Sequence, residues 1–238
     1  MISHAQAVAT RDARPLQTPV EGLNLPLGAS LGLAEALAQA LDARDRYTAS
    51  HSLRVAEYAH AIARELQLVE RDVEIIRLAA WLHDLGKIGI PDAVLLKPGP
   101  LTAEEFGLVK LHPQIGRRIL ERAPGFEPLL DAVELHHENF DGTGYPYALA
   151  GEKIPLDARV IRVADAFDAM TTDRAYRPAL TAESALKIVE NGSGREFDPR
   201  CAAAMSKIMR LRGRRELVHP AASDLFATSR PAPAKLIA

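Results

Sequence analysis

The sequence predicts an all-α protein, and three observations carry that prediction. Apolar residues recur at spacings of three and four along most of the chain. No run alternates apolar and polar residues beyond a few positions, and no repeat recurs at a fixed period. Helix start and stop residues punctuate the pattern: Thr102 followed by Glu105, Thr181, Asp198 followed by Pro199, and Gly86, Gly89 and Pro91 after an apolar stripe.

The elements follow in order. Residues 1–29 carry Pro15, Pro19, Pro26, Gly22 and Gly28 without periodicity and read as a flexible leader. Ser30 is a good N-cap for a first helix with Leu33, Leu37 and Leu41 on its apolar face. A second helix aligns His51, Val55, Tyr58, Ile62 and Leu66, so His51 faces inward. His60 falls on the opposite side and reads as a surface residue. A third runs through Ile76 and Ala80 to His83 and Asp84 in its last turn. The helix opened by Thr102 continues through Phe106 and Val109 and breaks at His112, directly before Pro113. Leu129, Val133, His136 and His137 end another helix before a loop set by Asp141, Gly142, Gly144 and Pro146. Between Ala158 and Thr171 one face carries Ile161, Asp165 and Asp168. Thr181 caps the next helix, and the last starts at Asp198 and ends near Gly213. Residues 30–213 thus form one folded domain, with 214–238 a flexible tail.

Composition bounds the function. With 238 residues, 47% hydrophobic and 25% charged, the chain has the material for one substantial core. Its 29 basic against 31 acidic residues give a charge of -2, which offers no general attraction for a nucleic-acid polymer, so an anionic ligand must be held locally. The single cysteine, Cys201, cannot form an internal disulfide and suits a reducing compartment, with the cytoplasm expected. No membrane span or export signal is expected.

The chemistry lies in His51, His83, His112, His136 and His137, joined by Asp84 and Asp165 on inward faces or helix ends. Any one of these histidines alone is satisfied as a hydrogen-bonded core residue. Seven titratable groups together need a compensating charge, because buried carboxylates are costly and imidazole with carboxylate suits first-row transition metals. Seven ligands exceed a mononuclear site but fit a metal pair sharing a carboxylate, which lowers the pKa of bound water toward neutrality.

The block His83-Asp84-Leu85-Gly86-Lys87, followed by His136-His137-Glu138-Asn139-Phe140-Asp141-Gly142-Thr143-Gly144-Tyr145-Pro146, resembles the HD-GYP family of cyclic di-GMP phosphodiesterases. The resemblance spans about residues 35–212 and implies an HD-domain helical bundle with an HD-GYP extension. It implies metal ligation by His51, His83, Asp84, His112, His136, His137 and Asp165, with Asp84 as the bridge. Two divalent ions, iron or manganese, are expected; the position where some members carry a third-metal Glu is Tyr47 here.

The same resemblance places Lys87 and Asp168 beside the scissile phosphate, giving Asp84, Lys87 and Asp168 as catalytic groups. It places Arg174 and Arg177 on the ligand, where guanidinium groups can grip phosphate oxygens. Tyr145 joins them as a substrate contact, and Gly144-Tyr145-Pro146 becomes a docking loop for partners such as a diguanylate cyclase. Blander readings exist for each: Lys87 as a cation at a helix end, the arginines as a solvated face, the glycines as positions of positive φ. Glu138 fits either an acid orienting an imidazole or a surface acid. Lys207, Arg210, Arg212, Arg214 and Arg215 read as a solvated helix end. The implied activity is hydrolysis of cyclic di-GMP to linear pGpG and onward to GMP. The alternatives are a catalytically idle sensor or adaptor, and the same chemistry on another substrate.

Overall fold

The computed structural model describes residues 27–44, 51–173 and 178–218. Tyr47, Arg174, Tyr176 and Arg177, most of the leader and all of the tail beyond residue 218 lie outside them. Among the described residues there are α-helices and short 3-10 turns and no strand.

Helix α1 spans Leu27–Arg44, α2 His51–Glu65 and α3 Glu70–Leu82. A 3-10 turn, Leu85–Gly89, leads to α4 (Asp92–Leu95), α5 (Ala103–Val109) and α6 (His112–Leu120). Then come α7 (Leu130–Leu135), α8 (Leu156–Thr171), α9 (Ala182–Asn191) and α10 (Pro199–Val218). Helix α2 is the centre of the bundle, with α3 on one side, α8 on the other and α10 also against it; α6 lies on the Leu85–Gly89 turn and on α7.

The apolar stripes build one main core, in which Val55, Ile62, Ile76, Leu82, Val133, Ile161, Phe167 and Met205 are buried. A smaller cluster of Leu135, Leu149, Ile154 and Ala158 lies beneath the loop that follows α7. Helix α5 has no buried residue and rides on the surface, with a capping box in which the Thr102 side chain accepts from the Glu105 N–H and the Glu105 carboxylate accepts from the Thr102 N–H, and with Lys97 paired to the same carboxylate.

Several boundaries differ from the expectation. Helix α1 reaches back to Leu27, so Ser30 lies inside it and is no cap. Its buried stripe is Ala34, Ala38 and Leu41, whereas Leu33 is exposed, because the close approach to α3 selects alanine over leucine. Helix α10 continues past Gly213 to Val218, since one glycine costs a helix only about 1 kcal/mol. His60 is half-buried.

Gly86 and Gly144 act through close approach. A Cβ on Gly86 would lie 1.8 Å from the His112 carbonyl oxygen, and one on Gly144 2.2 Å from the Asn139 nitrogen and 2.5 Å from the His137 oxygen. Gly142, with φ +84, needs the left-handed region instead.

Candidate metal centre

Four helix ends deliver the ligands. His51 is the first residue of α2, His83 follows the last residue of α3, His112 opens α6, and His136 follows α7. Three of these share one local device. The Nδ1–H of His83 donates to the Ala80 carbonyl at 2.7 Å, that of His112 to Val109 at 2.7 Å, and that of His136 to Val133 at 2.8 Å. In each case the acceptor lies three residues back, so the backbone fixes the tautomer and turns the Nε2 lone pair inward.

The result is a chain of imidazoles. His51 and His83 have ring centroids 5.4 Å apart, His83 and His136 5.0 Å, His112 and His137 5.0 Å, and His136 and His137 4.1 Å. His112 and His136 face each other Nε2 to Nε2 at 3.3 Å, although both have committed their proton to a carbonyl. Two lone pairs at that distance repel, and a cation held by both, each at ~2.1 Å, relieves the conflict. The Nε2 of His83 is buried with no hydrogen-bond partner, an orphan of the same kind.

Asp84, 3% exposed, stands between these rings. Its Oδ2 lies 3.4 Å from His83 Nε2 and 3.7 Å from His51 Nε2, and its Oδ1 lies 3.3 Å from His112 Nε2. Asp165 meets His51 Nε2 at 3.4 Å from α8. Ligand atoms therefore gather into two groups, His51 with His83 and Asp84, and His112 with His136 and His137. Imidazoles with a carboxylate fit a first-row divalent ion, and either group has the donors for one.

Electrostatics favour the neutral imidazole at His112, His136 and His137. Burial, reinforced by the neighbouring rings, holds His136 and His137 well below the usual histidine range, and burial brings His112 down to about 4. Burial opposes ionisation of Asp84, yet Lys87, His83 and His112 overcome it and keep the carboxyl well below its ordinary value. His51 is the exception: burial disfavours its charge, but hydrogen bonds with Asp165 and Asp168 outweigh that and push it up to about 9.

The remaining site residues fall around this centre. Lys87 Nζ lies 2.7 Å from Asp84 Oδ2. Tyr145 stacks on His137 with centroids 4.7 Å apart, and burial with Asp84 and Asp165 pushes its hydroxyl pKa up. Asp168 is buried behind His51, 2.7 Å from its Nδ1, with both carboxylate oxygens also engaged by Arg54. Arg174 and Arg177 lie outside the described residues. Glu138 orients no imidazole; it accepts the N–H groups of Tyr147 at 2.7 Å and Leu149 at 3.1 Å, tying down the loop after Pro146.

Three residues near the centre escaped the sequence reading. Arg54 is one helical turn from His51, a spacing that could have flagged it. Lys110 lies over the Tyr145 ring at 5.2 Å, and Arg162 holds Asn139 Oδ1 from α8 at 3.1 Å; neither has a sequence signal. Of the C-terminal basic run, Lys207 pairs with Glu65 and Arg210 with Glu190, so these two tie α10 to neighbouring helices.

Comparison with known proteins agrees with this geometry. The HD domain family model matches residues 33–201. The chain is 44% identical over 197 residues, 82% of its length and 51% of the relative's, to the cyclic di-GMP phosphodiesterase response regulator RpfG of Xanthomonas campestris pv. campestris. It is 39% identical over 200 residues, 83% of its length and 44% of the relative's, to 3'3'-cGAMP-specific phosphodiesterase 3 of Vibrio cholerae serotype O1. The chain spans about half the length of these curated relatives. Among solved structures, the fold is similar to Bd1817, an HDG"Y"P protein from Bdellovibrio bacteriovorus, with a TM-score of 0.60, 18% identity, and coverage of 87% of this chain and 68% of that one. With the His83-Asp84 pair among the converging imidazoles and the family model matching most of its length, the chain belongs to the HD domain family.

Proposed function

We propose that this chain is the hydrolytic module of a cyclic di-GMP phosphodiesterase, opening the cyclic dinucleotide to linear pGpG and acting on pGpG to give GMP. The observation that carries the reading is Asp84, whose two oxygens face different histidines across a buried cluster in which His83 Nε2 has no hydrogen-bond partner. Relatives named as cyclic di-GMP phosphodiesterases support the substrate.

In this reading His51, His83 and Asp84 would hold one ion and His112, His136 and His137 a second, with Asp165 completing the set. Tyr47 in place of a Glu limits the number to two. Bound here, two divalent ions, iron or manganese, supply Lewis acidity toward the phosphate and bring the pKa of water near neutrality. The chain's own residues do the rest. The carbonyls of Ala80, Val109 and Val133 hold three imidazoles in the ligating tautomer. Lys87 offers an ammonium beside Asp84 for the scissile phosphate, Arg174 and Arg177 grip phosphate oxygens, and Tyr145 lines the same centre. No described helix is long and apolar enough to cross a membrane. A cytoplasmic location belongs to the same reading, as does docking of a diguanylate cyclase on Gly144-Tyr145-Pro146.

A second substrate, 3'3'-cGAMP, is favoured by the relatives that carry its name. Protein purified anaerobically, analysed for metal and assayed separately with the two cyclic dinucleotides tests both. Faster turnover of cyclic di-GMP, with Asp84→Ala slower by roughly a hundredfold or more, is expected, since a ligand should matter at least as much as its outer partners. Faster turnover of 3'3'-cGAMP would reassign the substrate. Bound metal without turnover of either would leave a sensor or adaptor.

A further inference from the structure

Helices α2 and α8 present four polar groups to each other at matched one-turn spacing: His51 and Arg54 from α2, Asp165 and Asp168 from α8. His51 Nε2 addresses Asp165 Oδ1 at 3.4 Å, while its Nδ1–H donates to Asp168 Oδ2 at 2.7 Å. Arg54 closes the square from behind. Its Nε donates to Asp168 Oδ1 at 2.6 Å, and its Nη2 donates to Asp168 Oδ2 at 3.0 Å and to the Thr172 hydroxyl at 3.1 Å.

His51 differs from His83, His112 and His136 in a way that makes this square necessary. Those three are held by the carbonyl three residues back, whereas His51 opens its helix and takes its acceptor from another element. A carboxylate on a side chain has rotamer freedom that a backbone carbonyl lacks, so it fixes a ring only if it is itself fixed. A planar guanidinium does this with two parallel donors, which an ammonium cannot reproduce.

We propose that Arg54 is a positioning residue of the metal centre, clamping Asp168 so that Asp168 fixes the His51 ring with Nε2 turned toward Asp84 and Asp165. Asp168 then acts behind His51, in place of the role beside the scissile phosphate that the resemblance implies. The inference rests on reading the cluster as a metal centre.

The sign of the effect separates positioning from simple charge. As a cation one turn from His51, Arg54 repels a dication through space, so its removal by itself would tighten metal binding. Loss of positioning loosens it, by about ten- to a hundredfold for an outer partner of a ligating histidine. The full chain is stripped with chelator and titrated anaerobically with Mn(II), the free ion being followed by its electron paramagnetic resonance signal. Near-ultraviolet circular dichroism and the thermal midpoint check folding. Arg54→Ala and Asp168→Asn are each expected to weaken Mn(II) binding by about tenfold or more. Arg54→Lys should fall between Arg54→Ala and the parent, and the double variant should bind no more weakly than the poorer single one. At saturating Mn(II) the KM for cyclic di-GMP should be unchanged.

Folded Arg54→Ala that binds Mn(II) as tightly as the parent, or more tightly, would overturn the proposal while leaving the metal centre standing. So would additive losses in the double variant, or a raised KM with unchanged Mn(II) affinity, which would make Arg54 a substrate contact. A parent protein that takes up no Mn(II) would sink the metal-centre reading and the proposal together.

Discussion

A methyl group probes how the motif loop meets the histidines. The Cβ of an alanine at 144 would fall within 2.5 Å of Glu138 Cα and of the His137 oxygen, all backbone atoms that cannot step aside without moving His136 and His137. Gly144→Ala should therefore cost about 1–3 kcal/mol of stability, the range for overpacking, and reduce metal uptake with it. Gly107, inside α5, has nothing within 4 Å of the added atom, so Gly107→Ala should stabilise by about 1 kcal/mol. Denaturant unfolding of the two variants checks the contrast. A buried acid gives a pH test away from the metal ligands. Burial, aided by Asp131, raises the Asp157 carboxyl from 3.8 to about 6. The folded state thus favours its protonated form, and the penalty is small near pH 4, grows as pH rises and is complete above pH 6. Asp157→Asn should match the parent near pH 4 and be more stable at pH 8 by up to about 3 kcal/mol.

At the scale of elements, caps matter in proportion to what the helix carries. Asp198 Oδ1 accepts the N–H groups of Arg200 at 2.6 Å and Cys201 at 3.4 Å, opening the helix that buries Cys201, Ala202 and Met205, while Oδ2 pairs with Arg159. Thr102 caps α5 just as completely, but α5 buries nothing. Asp198→Ala should cost about 3–5 kcal/mol, since it also leaves Arg159 without its carboxylate. Thr102→Ala should cost about 1 kcal/mol or less, visible chiefly as faster amide exchange in α5. Both caps were legible in the sequence because each is a local pattern of two or three residues. The start of α1 and the end of α10 were not. Ser30 and Gly213 read locally as a start and a stop, yet each signal is worth only about 1 kcal/mol and the helices run through both.

For the molecule as a whole, the convergence of the seven candidate groups was legible because six of them lie at or beside helix ends, where apolar periodicity stops, and Asp165 shares the inward face of α8 with Ile161. The square of His51, Arg54, Asp165 and Asp168 was not, because it depends on the register of α2 against α8. Folding therefore brings together groups that repel or lack a hydrogen bond unless a cation joins them: His112 and His136 face lone pair to lone pair, and His83 Nε2 has no hydrogen-bond partner. Folding without metal bears that conflict, and an ion that binds only the folded arrangement stabilises it by about 2.7 kcal/mol at a concentration one hundred times its dissociation constant. For a chain of this length each kcal/mol moves the thermal midpoint by roughly 2–4 °C. Chelator-stripped protein should accordingly melt some 5–11 °C below the same protein reloaded with Mn(II) or Fe(II), by these same coefficients. Calcium should give little of this shift, because it prefers carboxylate and carbonyl oxygen, and this centre is mostly imidazole nitrogen. Equal midpoints with and without transition metal would mean that the rings satisfy one another in the folded bundle, and that their convergence has a structural cause instead.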